Sequence, residues 1–225
     1  MSRPPGPASD AALTAPDWLH PMLRALGSAQ ASELSRFAPP SDGSGRHSAV
    51  LILFASPGTA GGPDSADVLL IQRSATMRSH AGQVAFPGGA TDPQDASAAA
   101  TALREAAEEV GLQPDTVDVL AELPALWLPP SGFVVTPVLG YWHSPHPVGV
   151  VDEAEVASVH RVPLSELLLP ANRFTVWHPS GYRGAGFAVD GLFVWGFTAG
   201  LLDRLLRLAG WEQPWDRDRV RQLPE

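Results

Sequence analysis

The run Arg104-Glu105-Ala106-Ala107-Glu108-Glu109-Val110-Gly111-Leu112 carries three carboxylates in close succession, at Glu105, Glu108 and Glu109. Residues three and four apart are neighbours on a helix surface, so a helix here gathers all three on one side. Like charges crowded in this way repel, and a divalent cation held by oxygen ligands is the simplest compensation. A turn, Phe86-Pro87-Gly88-Gly89, lies shortly upstream, and glycines there would let backbone approach a ligand closely.

The carboxylates need a helix to present them, and the composition of residues 97–110 supplies one, rich in Ala, Leu, Arg and Glu. Asp95 or Ser97 can act as its N-cap, and Gly111 stands where a C-cap glycine belongs. Before it, an amphipathic helix is expected at 17–26, stopped by Gly27, and apolar β-type runs at 48–55 and 68–72 form a hairpin with a long connection. After it, strands are expected at 117–128, 133–142, 155–162, 174–178 and 186–189, with a short helix starting at Pro163. A closing helix with apolar residues at helical spacing is expected at 194–208. The whole predicts an α+β protein, a mixed β-sheet sandwiched between α-helices. It divides into a disordered segment at 1–15, a helical extension packed on the core at 16–47, one catalytic domain at 48–210 and a tail at 211–225. Among the seven tryptophans, Trp195 and Trp127 are expected in the core. Trp211 and Trp215 are expected to cap it or to join a subunit contact.

A chain of 225 residues with ordinary apolar content is long enough for one sizeable core. The net charge of −9 argues against broad binding to nucleic acid or to an anionic membrane. It leaves room for an anionic substrate, because a bound metal and a few arginines reverse the field locally. The absence of cysteine excludes disulfides, thiol nucleophiles and Cys-type zinc sites. No apolar run approaches the roughly 18 residues of a membrane span. The N-terminal residues lack the apolar stretch of a secretory signal, so a cytoplasmic protein is expected.

Residues 104–112 resemble the second half of the Nudix box, with Arg104, Glu105, Ala106, Glu108, Glu109, Gly111 and Leu112 at its positions. The first half departs: Ala90 stands where the box has glycine and Ala96 where it has glutamate. Gly89 restores the pattern if one residue is added, and Asp92 or Asp95 would then replace the missing glutamate by orienting the loop. Residues 69–89 are more discriminating. They are similar to the signature of the coenzyme A branch of that family, Leu-Leu-Thr-x-Arg-Ser/Ala-x3-Arg-x3-Gly-x3-Phe-Pro-Gly-Gly, with Ile71 the single departure. That branch shows the same one-residue expansion of the box, and Trp195-Gly196-Phe197-Thr198-Ala199 also looks like it.

The resemblance implies the Nudix fold and hydrolysis of the pyrophosphate of coenzyme A, free, oxidised or acylated, to 3′,5′-ADP and 4′-phosphopantetheine. It implies Mg²⁺ or Mn²⁺ as cofactor, with Glu105 and Glu109 as first ligands, Glu108 as the third and the Gly89 carbonyl as a neutral one. Arg104 would orient the glutamates by ion pairing. Arg73 and Arg78 are the phosphate contacts, since a guanidinium fork matches phosphate oxygens. Gly82, Phe86 and Gly88 would line the substrate, and His80 joins them as a loop residue near the site. The general base is Glu153, Glu155 or Glu109 itself. Small-molecule coenzyme A is the expected partner, and a homodimer is compatible with the family. Two other readings stand beside this one: a Nudix hydrolase for another nucleoside diphosphate such as ADP-ribose, and a Nudix-fold module that binds a nucleotide without cutting it.

Overall fold

The computed structural model describes residues 15–35, 37–58, 61–77, 79–129, 131–177 and 181–223. Arg78 and nearly all of the segment expected to be disordered, 1–15, lie outside them. The described chain starts with a 3₁₀ turn at Asp17–Leu19 and helices α1 (His20–Leu26) and α2 (Ala31–Leu34). Strands β1 (Arg46–Ala55), β2 (Asp67–Arg73), β3 (Val84–Ala85) and β4 (Gly88–Ala90) then lead into helix α3 (Ala98–Val110). Next come β5 (Val117–Glu122), β6 (Leu126–Leu128), β7 (Phe133–Trp142), β8 (Val156–Pro163) and helix α4 (Leu164–Leu168). Strands β9 (Arg173–Trp177), β10 (Arg183–Val189) and β11 (Leu192–Val194), helix α5 (Gly196–Leu208) and strand β12 (Val220–Gln222) complete it.

Strands β1–β8 form one mixed sheet, in which β1 runs parallel to β7 from Arg46↔Phe133 to Phe54↔Tyr141 and β2 runs antiparallel to β8. Alternation along β1 divides its side chains between two apolar layers. Ala49, Leu51, Leu53 and Ala55 face α3, where they meet Ala102, Ala106 and Val110. Ile52 and Phe54 face the other way, toward Trp18, Leu19 and Met22 of the N-terminal helical segment, Phe187 and Val194 of the second sheet, and Leu202 and Leu206 of α5. The sheet is therefore sandwiched between helices, as the sequence predicts.

Three expectations change. The strand expected at 117–128 is two strands, broken at Leu123–Ala125, where Pro124 interrupts the ladder. Trp195 is not in the body of a helix: it is the half-buried N-cap of α5, and the apolar run before it forms β11. Trp127 is likewise half-buried, its ring against Gly45. The tail also holds more structure than its charge suggests. Trp211 packs on Trp18 at 5.5 Å between ring centroids, and β12 pairs with β9 in parallel.

Candidate functional site

Helix α3 is capped at both ends by its own sequence. Ser97 accepts a hydrogen bond from the backbone N–H of Ala100 at 3.1 Å, and Gly111 closes the helix at φ 73°. A long-range cap supplements Ser97, since Glu122 Oε1 accepts from Ala99 N at 2.9 Å. Ala102 and Ala106 turn to the sheet and, being small, let the helix lie close to it. The next stripe carries Glu105 and Glu109. Glu108 points outward, its side chain 60% exposed.

Burial at Glu109 is extreme for a carboxylate: the residue is 2% exposed. One oxygen, Oε2, accepts a hydrogen bond from Gly88 N at 2.9 Å, while Oε1 is buried with no partner. Burial pushes its pKa up to about 8, against the opposing pull of the Gly88 N–H and Arg73, and the carboxylates of Glu105 and Glu155 push the same way as burial. Burial is also the main reason that Glu105 titrates above the usual carboxylate range. Gly88 and Gly89 make the close approach feasible. A Cβ on Gly88, at φ 152°, would fall 2.3 Å from the Ala49 carbonyl oxygen, and one on Gly89 would fall 2.5 Å from the Glu105 carboxyl.

Arg104 ties the loop to the helix. Its guanidinium donates to both oxygens of Asp95 at 3.1 and 2.9 Å, to Glu105 at 3.0 Å, to Glu108 at 2.9 Å and to the Ala90 carbonyl at 3.0 Å. Asp95, not Asp92, therefore fills the place of the glutamate missing at Ala96. It also accepts from Thr101 and from the Asp92 backbone, and its bond to Arg104 holds its carboxyl far below the usual range.

Of the remaining residues singled out from the sequence, Arg73 and Glu155 stand close enough to Glu109 to act on its charge, and Nε of Arg73 is buried without a partner. Their segments meet through the backbone: Arg73 pairs with Val156, and Ser74 N donates to the Glu155 carbonyl at 2.8 Å. Glu153 is exposed and does not join the group. Gly82 sits in an exposed turn and donates to the Arg73 carbonyl. His80, also exposed, has φ 56° and bonds Gln83 at 3.0 Å. Phe86 is 1% exposed and belongs to the apolar layer on the opposite face of the sheet from α3, so its ring packs in the core instead of lining a substrate cleft. Arg78 is outside the described residues.

Could this arrangement hold a cation? Among the described residues no three His, Asp or Glu side chains form a preformed cage, and Arg104 bonds both Glu105 and Glu108. The donor chemistry fits nonetheless. Glu105 and Glu109 both meet the Gly88–Gly89 turn, and the buried Oε1 of Glu109 is an acceptor with no partner among the described residues. An open groove of about 420 Å³ between Pro145–Val148 and the β8 residues Val159 and Arg161 contains none of these carboxylates.

The model of the NUDIX domain matches residues 45–182, a span that includes the loop, α3 and β8. The chain belongs to the Nudix family. Two curated relatives, each named uncharacterized Nudix hydrolase NudL, are 46% identical to this Nudix chain. The one from Citrobacter koseri aligns over 151 residues, 61% of this chain and 72% of its own length. The one from Cronobacter sakazakii aligns over 154 residues, 65% of this chain and 77% of its own. The Escherichia coli K12 protein of the same name is 43% identical over 145 residues, covering 61% of this chain and 72% of the relative. The chain is thus a Nudix hydrolase, and the Glu109 group lies inside the matched domain.

Two features of this Nudix site were not readable in the sequence. The Glu122 cap on α3 joins residues far apart along the chain and leaves no local pattern. The choice of Glu155 over Glu153 depends on how β8 pairs with β2. One signal did exist: β-strand alternation from the apolar Leu69 and Ile71 sends Arg73 to the α3 face.

Proposed function

We propose that the protein is a divalent-metal-dependent pyrophosphatase that cuts the diphosphate of coenzyme A, giving 3′,5′-ADP and 4′-phosphopantetheine. The observation that carries this reading is a pair of unsatisfied buried groups of opposite sign. Oε1 of Glu109 is an acceptor without a donor, and Nε of Arg73 is a donor without an acceptor. Buried polar atoms are nearly always paired, and the exceptions call for an explanation. A metal–diphosphate complex provides one, with the cation for Glu109 and a phosphate oxygen for Arg73.

Glu105 and Glu109 would hold Mg²⁺ or Mn²⁺, with Glu108 and the Gly89 carbonyl completing the oxygen set. When bound, the ion neutralises phosphate charge and lowers the pKa of water. The chain's own groups do the rest. Arg104 and Asp95 fix the rotamers of Glu105 and Glu108. Arg73, with Arg78, grips phosphate through guanidinium N–H donors. Glu155, half-buried beside Glu109, takes the proton from the attacking water. The coenzyme A specificity rests on residues 69–89, where the spacing of Arg73, Arg78, Gly82 and the Phe86–Gly89 turn matches that branch of the family.

Initial rates with Mg²⁺ on coenzyme A and on ADP-ribose test the reading. The expected result is a higher kcat/KM for coenzyme A. A clear preference for ADP-ribose would keep the metal site and overturn the substrate. Tight binding of coenzyme A with Mg²⁺ and no turnover would overturn the hydrolase.

A further inference from the structure

Glu155 occupies an adverse position. It stands near the carboxylates of Glu105 and Glu109, and among the described residues it forms no ion pair of its own. Side-chain attraction therefore does not keep it there. The backbone does. The loop after β7 crosses the C-terminal end of α3, and Gly149 N donates to the Val110 carbonyl at 3.1 Å while Val151 N donates to the Glu109 carbonyl at 3.0 Å. These bonds satisfy carbonyls that a helix end otherwise leaves open. The residue whose carboxylate is the deepest in the site is thus also clasped at its carbonyl by this loop.

Asp152 turns the chain straight afterwards. Its Oδ1 accepts from Ala154 N at 2.9 Å, and its carbonyl accepts from Glu155 N at 3.2 Å and Val156 N at 2.9 Å. Beyond the turn, Ser74 N takes the Glu155 carbonyl. The β2–β8 register then slips at Gln72/Arg73, so that Arg73 pairs with Val156 while Gln72 pairs with Ser158. Bulges of this kind re-aim side chains beside active sites. The bonds of Val151, Asp152 and Ser74 thus bend the chain so that Glu155 comes near Glu109.

We infer that Asp152 is a positioning residue for Glu155: by closing the 152–156 turn against the end of α3, it holds the Glu155 carboxylate beside Glu105 and Glu109. Asp152 is exposed, and its side chain bonds Ala154 N within its own turn. This inference rests on Glu155 serving the hydrolytic site proposed above, but it can fail separately from the identity of the substrate. Its exposed carboxylate acts through an oxygen that accepts a hydrogen bond, a task asparagine also performs.

The test compares Asp152→Ala, Asp152→Asn, Glu155→Gln and the double variant Asp152→Ala/Glu155→Gln. Rates are measured on whichever of coenzyme A or ADP-ribose the wild-type protein hydrolyses faster, and Mn²⁺ binding is followed by electron paramagnetic resonance without substrate. Misplacing a catalytic group by an ångström costs on the order of 10²-fold in rate. Asp152→Ala is therefore expected to lower kcat by about that factor with KM little changed. Asp152→Asn is expected to recover most of the rate. The double variant is expected to be no slower than Glu155→Gln alone. Mn²⁺ affinity in Asp152→Ala should change as it does in Glu155→Gln. Thermal melting confirms that each variant folds. A further rate loss on adding Asp152→Ala to Glu155→Gln, an Asp152→Asn as slow as the alanine variant, or a kcat for Asp152→Ala near wild type would each overturn the inference.

Discussion

Two arginines anchor carboxylate clusters in this protein, and they solve opposite problems. Arg173 is fully buried. It bonds Asp203, lies 3.3 Å from Glu212, and packs against the rings of Phe187 and Trp215 at 5.2 and 4.9 Å. Arg207 and Arg217 join the same two carboxylates, so three guanidinium groups more than match two acids. Nε and Nη1 of Arg173 have no hydrogen-bond partner, but the guanidinium they belong to stacks over the two rings. Arg104, in contrast, is partly exposed, and with Arg73 it faces five acids: Asp95, Glu105, Glu108, Glu109 and Glu155. The first cluster is complete in itself and ties β9, α5 and the tail together. The second is short of positive charge. A balanced cluster reads as structure, an unbalanced one as a place for a ligand.

The sharpest break of this contrast comes from Glu109→Gln. It should lower turnover by about 10³-fold, the scale of losing a group that stabilises transition-state charge, while melting at or above the wild-type temperature. A near-normal rate would remove Glu109 from the site. Next, Arg173→Met should destabilise the fold by about 3–5 kcal/mol, because it strands Asp203 and Glu212 in a buried setting. The protein that remains folded should still turn over, as a denaturant titration paired with an assay in the folded range would show. Arg104→Lys should do the reverse. A lysine cannot serve Asp95, Glu105, Glu108 and the Ala90 carbonyl together, so turnover should fall by about 10–10²-fold. Its melting temperature should fall less than that of Arg173→Met, since partly exposed ion pairs contribute less than fully buried ones. If Arg104→Lys melted as readily as Arg173→Met, the two clusters would not differ in kind.

The smallest effect is a slope. Glu109 binds its proton more tightly in the folded protein, about 8, than its ordinary value of 4.5. Between these values the native state holds more protons than the unfolded one, so metal-free protein should lose stability as pH rises through that window. Mg²⁺ should stabilise the protein most at the upper end, where the carboxylate is free to bind it. Melting curves across pH, with and without Mg²⁺, check both statements. In Glu109→Gln the slope should shrink.

Local patterns were legible and long-range ones were not. Ser97, Gly111 and the alanine-rich run between them define α3 because capping and propensity act within a few residues. The charge crowding at Glu105, Glu108 and Glu109 follows from helical periodicity alone. Asp95 was one of two candidates for orienting the loop, and only the fold decides between them, because Arg104 reaches back to it across the turn. Glu153 and Glu155 are equivalent as sequence. Pairing of β8 with β2 and the tie from Val151 to Glu109 separate them. Phe86 reads as part of the glycine turn, yet its ring belongs to the core on the far side of the sheet. The strand at Val220–Gln222 has no apolar alternation, and its pairing with β9 is a tertiary fact.

Ala102 and Ala106, the small residues beneath α3, set how deep the glutamates sit. Each methyl group acts as a spacer whose thickness fixes the height of Glu109 above the Gly88 amide. Enlarging either to valine would jack the helix away from the sheet by a fraction of an ångström. Such a protein would still fold, but its carboxylates would stand off from the loop they serve. Drift at two inconspicuous methyl groups is thus limited by chemistry taking place on the neighbouring stripe of the helix.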